Sequence, residues 1–174
     1  SGCIAQVYKG TLKRPDGTRI PVACKLIHPH VEENLVHDMN ILKAFTWCLE
    51  CIPSLQYLSL SGAVNTFSIA MREQLDLTLE AEHMAHFKSD FAENPNIDFA
   101  SPIEGFITRN ALVETYLTGR PITEFMSDET SLKTKIRLSR MCCLAVLDMV
   151  FKHNFVHGDM HPGNILVDME KLGA

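Results

Sequence analysis

The segment His157–Asn164 carries side chains whose types and spacing could support phosphoryl transfer. A carboxylate at Asp159 could accept or orient the proton of an attacking hydroxyl group or water, and the amide oxygen of Asn164 could ligate Mg²⁺ beside phosphate groups. The segment has the pattern His-x-Asp-(x)4-Asn, which is typical of phosphotransfer loops. We therefore predict that Asp159 is catalytic and that Asn164 is a metal ligand.

Two other interpretations of this segment are weaker. The Asp and Asn side chains could only satisfy backbone groups in a polar turn. However, the whole segment matches the pattern and lies between an amphipathic helix and a short β-type run, which favours phosphoryl transfer. His157 and His161 could bind a metal, but a spacing of four residues aligns side chains on a helix, and this segment contains Pro and Gly.

A second candidate group is the ammonium of Lys25, which ends the β-type run Val22–Lys25. The run resembles the Val-Ala-Ile-Lys strand in which a lysine holds the α and β phosphates of a nucleotide. A lone lysine in a strand is usually a solvated edge residue. Here a phosphate loop precedes the strand at the expected distance, so we predict that Lys25 binds ATP phosphates and is needed for catalysis.

That loop is the run Ser1–Val7, which we compare with the pattern Gly-x-Gly-x-x-Gly-x-Val. Gly2 falls on the second glycine and Val7 on the valine, while Ala5 replaces the third glycine. Alanine keeps its backbone N–H but restricts φ, so the loop should be stiffer than a glycine loop. The predicted ATP-binding positions in this loop are Gly2, Cys3, Ile4, Ala5, Gln6 and Val7.

An acidic cluster could supply the partner of Lys25. Glu73, Asp76 and Glu80 lie close together in a segment with helical spacing. Phosphotransfer enzymes use a helical glutamate to hold the lysine ammonium over the phosphates, and Glu80 is the candidate for this role. The alternative is an acidic helix face that only contacts solvent, which base rates alone would favour.

Strands and helices must position these groups. Alternation from Ile4 to Tyr8, the turn Pro15-Asp16-Gly17 and the run Ile20–Ile27 predict a β-hairpin. Apolar residues spaced by three or four predict helices. The predicted helices are Val31–Ile52, about Val64–Phe91, and Leu132–Asn154. The apolar face of the last helix comprises Ile136, Cys143, Leu144, Leu147, Val150 and Phe151. The remaining predicted elements are strands over Phe99–Ile107 and Ala111–Tyr116, a boundary at Gly119–Pro121, and a loop and short strand over Phe155–Val167.

Composition excludes some classes of function. The 174 residues are 46% hydrophobic and 21% charged, as in globular proteins with a core. The net charge of −5 gives no support for nucleic-acid binding, and no apolar run reaches the roughly 18 residues of a membrane span. Cys24, Cys142 and Cys143 lie in apolar segments and should behave as small hydrophobes. Cys48 and Cys51 form a lone Cys-x-x-Cys without a second pair, so their role stays undetermined.

Together these motifs resemble the UbiB-like (aarF-domain-containing, ABC1-type) atypical kinase family. The shared features are the Ala-Gln-Val loop, the Lys25 strand, Gln74-x-Asp76 followed by Glu80-Ala81, and the segment from His157 to Asn164. The resemblance covers essentially the whole chain. His-Gly-Asp-x-His-Pro-Gly-Asn also occurs in aminoglycoside and choline kinase-like enzymes, but the first three features favour the UbiB-like family.

The resemblance implies an α+β, protein-kinase-like two-lobed fold, incomplete in this chain. We expect residues 1–115 to form the amino-terminal lobe with inserted helices, and residues 116–174 to begin the carboxyl-terminal lobe. It further implies binding of ATP and Mg²⁺, with a hinge near Glu114 and Tyr116 whose backbone reads the adenine edge. It also implies a role in ubiquinone (coenzyme Q) biosynthesis or mitochondrial lipid homeostasis, a mitochondrial address in eukaryotes, and membrane, lipid or coenzyme Q biosynthesis proteins as partners.

The chain departs from the family pattern in three ways. Gln74 stands where the family usually has Glu, as in one eukaryotic branch. The family's upstream Lys-x-Gly-Gln motif precedes the first residue, and family members continue past Val167 to an Asp-Phe-Gly that supplies a second metal ligand. We therefore expect either a fragment of a larger protein or a mis-predicted or truncated product, and in both cases a chain that is inactive alone. The alternatives are a nucleotide-binding regulatory or scaffold protein without turnover, and a small-molecule kinase; the phosphate acceptor and oligomeric state are not predicted.

Overall fold

The structure is a computed structural model that describes residues 4–170. It combines an antiparallel sheet with helices. The strands are β1 Ala5–Lys13, β2 Arg19–Ile27, β3 Pro102–Ile107, β4 Ala111–Thr115, β5 Arg120–Pro121 and β6 Leu166–Val167. The α-helices are α1 Val31–Glu50, α2 Leu60–Glu73, α3 Leu77–Asp90 and α4 Leu132–Leu147. Three short 3₁₀ turns cover Gln56–Leu58, Ile122–Met126 and Pro162–Asn164, and a π-helical turn covers Asp148–Lys152.

The described chain forms two compact units. One comprises the described residues up to Ala85 together with Ser101–Thr115, and the other comprises His86–Ala100 and the described residues from Tyr116 onward. The proposed division at residue 115 stays a prediction; these units differ from it because the segment 86–100 belongs with the second unit.

The predicted β-hairpin is confirmed in the first unit. β1 pairs with β2 without interruption from Ala5↔Ile27 to Lys13↔Arg19. Gly17 turns the chain with a φ of 85°, a value that glycine adopts without the strain of a side chain. The Asp16 carboxylate accepts a hydrogen bond of 2.8 Å from the Thr18 amide, which fixes the turn and the register of the strands.

The first unit is organised around a four-stranded sheet of order β1-β2-β4-β3. β2 is central, because it pairs with β1 on one side and antiparallel with β4 on the other. Leu112 of β4 is fully buried and packs with Leu77 and Ala81 of α3. This contact fixes the start of α3 on the sheet face that carries Leu112.

The predicted helix from about Val64 to Phe91 is wrong in one respect: it is two helices, α2 and α3, separated at residues 74–76. The Asp76 carboxylate accepts hydrogen bonds from the amide and the hydroxyl of Thr78, at 3.0 and 2.5 Å. These bonds lower the pKa of Asp76, and the bond from the Thr78 hydroxyl has the larger effect. An aspartate that binds an amide two residues ahead favours a helix start over a helix interior, so the chain breaks there.

The last predicted helix also ends earlier than expected. α4 ends at Leu147 and continues as the π-helical turn rather than as α-helix to Asn154. A π turn adds a residue and rotates the following side chains. As a result Met149 is almost fully buried, whereas Phe151 is 82% exposed.

The buried positions of α4 therefore differ from its predicted apolar face. The helix buries Leu138 and Ala145, and residues of the predicted face, including Ile136 and Leu144, are about half exposed. Cys143 is also exposed, so its expected behaviour as a packed small hydrophobe is wrong. Cys24 and Cys142 are half-buried, and burial raises the pKa of the Cys142 thiol.

The predicted boundary at Gly119–Pro121 contains a strand. β5 pairs antiparallel with β6, with Arg120 opposite Val167, and the Ile122 amide donates to the Ile165 carbonyl at 2.9 Å. A core of Phe125, Leu138 and Val167 lies beside this pair. The loop between α4 and β6 is thus held at its far end by β5.

Gly119 is required for this pairing. A Cβ atom there would lie 3.0 Å from both the Leu166 Cβ and the Val167 carbonyl oxygen. We expect Gly119→Ala to lower the free energy of unfolding by about 1–3 kcal/mol, because backbone must move to admit the methyl group. Chemical denaturation measures this. The control is Gly62→Ala in α2, where a Cβ meets nothing closer than 4.0 Å and the change should raise stability by about 0.5–1 kcal/mol; a similar loss in both variants would contradict the argument.

No helix within residues 4–170 is long and apolar enough to cross a membrane.

Candidate functional site

The structure brings Lys25 and Glu80 together in the first unit. The Lys25 ammonium donates to both carboxylate oxygens of Glu80, at 2.8 and 2.7 Å. Both side chains are partly exposed, at 30% and 37%. An ion pair of this exposure contributes little to stability. What it does provide is a fixed position for the ammonium group.

Local structure explains why the two groups meet. Lys25 is held in β2 between Val7 and Leu112 on the neighbouring strands. Glu80 lies in the first turn of α3, where the helix dipole favours a carboxylate. The neighbouring Ala81 packs against Leu112, which pairs with Lys25. This packing places Glu80 within hydrogen-bond distance of Lys25.

The predicted phosphate loop is described only in part. Gly2 and Cys3 lie outside the described residues, and Ile4 precedes β1 as a bend. Ala5, Gln6 and Val7 are strand residues, paired with Ile27, Leu26 and Lys25. The backbone of these three positions thus belongs to the hairpin, and their role in ATP binding stays a prediction.

The predicted hinge residues lie at the end of β4. Glu114 pairs with Ala23, and the Thr115 amide donates to the Ser101 carbonyl at 2.9 Å. Tyr116 follows the strand and is half-buried. The sheet therefore occupies the Thr115 amide, and reading of an adenine edge by this backbone stays a prediction.

The side chain of Glu114 was not anticipated from the sequence. Its carboxyl is half-buried, and its pKa is raised chiefly by burial and further by the Glu80 carboxylate, while Lys25 acts in the opposite direction. Strand alternation could have predicted that Glu114 lies on the same sheet face as Leu112, because the two are two residues apart in β4.

The loop from His157 to Asn164 lies in the second unit. The Asn164 side-chain amide donates to the backbone carbonyl of Asp159 at 3.0 Å and to its Oδ2 atom, also at 3.0 Å. Asp159 is 75% exposed at its side chain. Because Asn164 uses its NH₂ group for these bonds, its oxygen points away from the carboxylate that it contacts.

The two histidines of the loop bind backbone. The Nδ1 atom of His157 accepts from the Asp159 amide at 3.1 Å, and that of His161 accepts from the Gly163 amide at 3.0 Å. The Nε2 atom of His161 lies 3.9 Å from the Asp159 carboxylate. Each ring thereby fixes one turn of the loop, which orients Asp159.

An aromatic cluster supports the loop within the second unit. Phe87, Phe91 and Met149 are buried together, with Phe155 and other apolar side chains around them. The ring of Phe87 lies 5.6 Å from that of His157. This packing gives the segment before Asp159 a rigid base.

Sequence reasoning missed the polar part of that cluster. Asp90 lies 3.6 Å from the His86 ring nitrogen and 3.5 Å from that of His153. Its Oδ2 atom is buried and has no hydrogen-bond partner among the described residues. The spacing of His86 and Asp90 by four on a predicted helix was the available signal.

The donor set of the loop fits a magnesium ion. Mg²⁺ prefers oxygen ligands and is usually held by one or two protein groups together with substrate phosphates. The Asn164 oxygen is such a group. Within residues 4–170, His, Cys, Asp and Glu side chains form no cluster of three or more able to hold a metal ion by themselves.

Comparison with known proteins gives a consistent result. A family model described as "ABC1 atypical kinase-like domain" matches residues 1–172. The chain is 35% identical over 96% of its length to a probable serine/threonine-protein kinase, abkC, of Dictyostelium discoideum. It is 34% identical over 86% of its length to a mitochondrial ABC1 family protein of Schizosaccharomyces pombe, and 24% identical over 97% to a probable protein kinase UbiB of Histophilus somni. The chain spans 22–31% of the length of these relatives.

A solved structure supports the fold. The chain is similar to Rv3197 of Mycobacterium tuberculosis, solved in complex with erythromycin, with a TM-score of 0.76 and 22% identity over 98% of the chain and 41% of Rv3197. The likeness concerns the fold alone. It confirms the predicted α+β, kinase-like fold class.

Proposed function

Because the chain belongs to the ABC1 atypical kinase-like family, we propose that it binds ATP with Mg²⁺ and serves phosphoryl transfer or ATP hydrolysis. The observation that carries this proposal is the two-bond contact between Lys25 and Glu80. An ammonium held by a helical glutamate is the arrangement that grips nucleotide phosphates in kinases.

In the first unit, Lys25 binds phosphate oxygens and Glu80 keeps its ammonium in place. The contact leaves the ammonium one further donor, since an ammonium has three and Glu80 accepts two. A phosphate oxygen can use that donor without breaking the ion pair.

In the second unit, Asp159 accepts or orients the proton of the attacking hydroxyl group or water. Asn164 holds the Asp159 carboxylate with its NH₂ group and offers its oxygen to Mg²⁺. When bound, the metal neutralises charge on the phosphates.

The names of relatives support a proposal about the cellular role. The relatives include mitochondrial ABC1 family proteins of two yeasts and a bacterial protein named probable protein kinase UbiB. We propose a mitochondrial location in a eukaryotic source, a function in ubiquinone (coenzyme Q) biosynthesis or mitochondrial lipid homeostasis, and lipids or proteins of that pathway as partners.

The test is ATP binding and turnover by the full-length protein. Calorimetry with ATP and Mg²⁺ measures binding, and release of ADP measures turnover. Saturable binding that requires Mg²⁺ is expected. Binding without ADP release would select the alternative, a nucleotide-binding regulatory protein, and absence of binding would contradict the proposal.

A further inference from the structure

The Lys25–Glu80 ion pair has a third ionisable neighbour, Glu114. In the sheet, Lys25 pairs with Leu112 and Glu114 pairs with Ala23. Alternate residues of a strand share a face, so Lys25 and Glu114 project from the same face on adjacent strands. Glu80 reaches this face from α3.

The three groups do not balance in charge. Two carboxyls and one ammonium occupy a partly buried site, and Glu80 already binds the ammonium through both oxygens. Burial and the Glu80 carboxylate raise the pKa of Glu114 more than Lys25 lowers it. The pKa of Glu114 therefore lies above 4.5, the ordinary value for this group.

Ionised Glu114 and the ATP phosphates would both be attracted to the Lys25 ammonium. Both are anions, and the Lys25 ammonium is the cation that the sheet presents to Glu114. A second carboxylate on this face adds negative charge beyond that of Glu80, and it weakens phosphate binding because like charges repel.

We propose that Glu114 is a positioning residue that competes with phosphates for the Lys25 ammonium, so that loss of its proton lowers the affinity for ATP. The inference rests on the proposed function and adds a proton-linked regulation of the same site.

Other groups around Glu114 act less directly. Lys9 of β1 lies opposite Ala23 on the far side of β2, one strand further from Glu114 than Lys25. On β3, Pro102 lies opposite Glu114. The charged groups that act on the carboxyl are Glu80 and Lys25.

The experiment measures the dissociation constant of ATP with Mg²⁺ from pH 4 to pH 8 in the full-length protein, a range that begins below the ordinary Glu value of 4.5. The variants are Glu114→Gln, which removes the charge and keeps the shape, and Glu104→Gln on β3 as a control at an exposed position. ATP itself binds protons in this range, so the result is the ratio of the wild-type constant to the variant constant at each pH, in which the titration of ATP cancels.

We expect Glu114→Gln to bind ATP more tightly than wild type at pH 8, by about five- to tenfold, and the ratio to fall toward one as the pH falls through the raised pKa of Glu114. Glu104→Gln should give a ratio near one throughout. A ratio for Glu114→Gln that stays constant with pH would overturn the competition. If wild type and both variants all fail to bind ATP, the proposed function itself is wrong, a result distinct from a constant ratio.

A second measurement without nucleotide tests whether folding raises the pKa of Glu114. A carboxyl whose pKa is raised in the folded state binds protons more strongly there than in the unfolded state, so the wild type loses stability as the pH rises above 4.5. Glu114→Gln lacks this loss. Urea unfolding should therefore show the variant gaining stability relative to wild type with rising pH, and a difference that does not change with pH would show that folding does not raise the Glu114 pKa, which would overturn the proposed regulation.

Discussion

Asp159→Asn is expected to lower ATP turnover by the full-length protein about 10²–10⁴-fold and to leave its folding intact. The amide cannot accept the proton of the attacking hydroxyl group or water. It can still accept the hydrogen bond that Asn164 donates to Oδ2, so the loop keeps its conformation. The exposure of the Asp159 side chain means that no buried charge is lost. Steady-state ADP release measures turnover, and a thermal melt checks folding.

The matched control is Asp168→Asn. Asp168 is exposed and accepts a bond from the Glu170 amide, so it belongs to the local turn after β6 and not to the loop. Its substitution should leave turnover within about twofold. Unchanged turnover in Asp159→Asn would remove the catalytic assignment, and a loss in Asp168→Asn equal to that in Asp159→Asn would show that any change in this segment impairs the protein.

Lys25→Met is expected to lower kcat/KM for ATP about 10²–10³-fold, the magnitude found when one preorganised donor to a developing charge is removed. Methionine retains the length of the side chain and lacks the ammonium. The loss of the partly exposed ion pair should change the free energy of unfolding by less than about 1 kcal/mol. A large effect on turnover without one on stability therefore separates phosphate binding from a structural role.

Lys88→Met is the control for this prediction. Lys88 forms an ion pair with Asp98, so the variant also removes an ammonium from a carboxylate, at a place without a predicted role. Its kinetics should match the wild type. Equal kinetic losses in the two lysine variants would contradict the assignment of Lys25.

Local sequence signals predicted most of the fold. The hairpin, α1, β3 and β4 follow from alternation, from spacing of three or four, and from Gly and Pro at turns, because each depends on neighbours in the chain. The contact between Lys25 and Glu80 was also anticipated, although the two are far apart in sequence. That inference came from the arrangement of phosphotransfer enzymes, in which a helical glutamate holds the strand lysine, since periodicity cannot say which helix meets a strand.

The features that were missed depend on tertiary packing or on single side-chain bonds. The break between α2 and α3 arises from the bonds between Asp76 and Thr78, which compete with helix continuation. The burial of Met149 arises from the π turn, which a prediction based on a helical period of 3.6 residues cannot anticipate. The side chain of Glu114 could be placed beside Lys25 only when the register of β2 and β4 was known.

The pairing of β5 with β6 has a consequence for the kinetics of the loop that carries Asp159. This two-stranded sheet has two residue pairs, and Pro121 cannot donate a hydrogen bond to it. Ordering the chain between Ile122 and Ile165 costs closure entropy. The β5–β6 pairing and the core of Phe125, Leu138 and Val167 offset this cost. Such a segment opens by local fluctuation at a lower free energy than the whole unit. Amide hydrogen exchange at Ile122 thus reports how often its bond to the Ile165 carbonyl opens in the native protein, independently of catalysis.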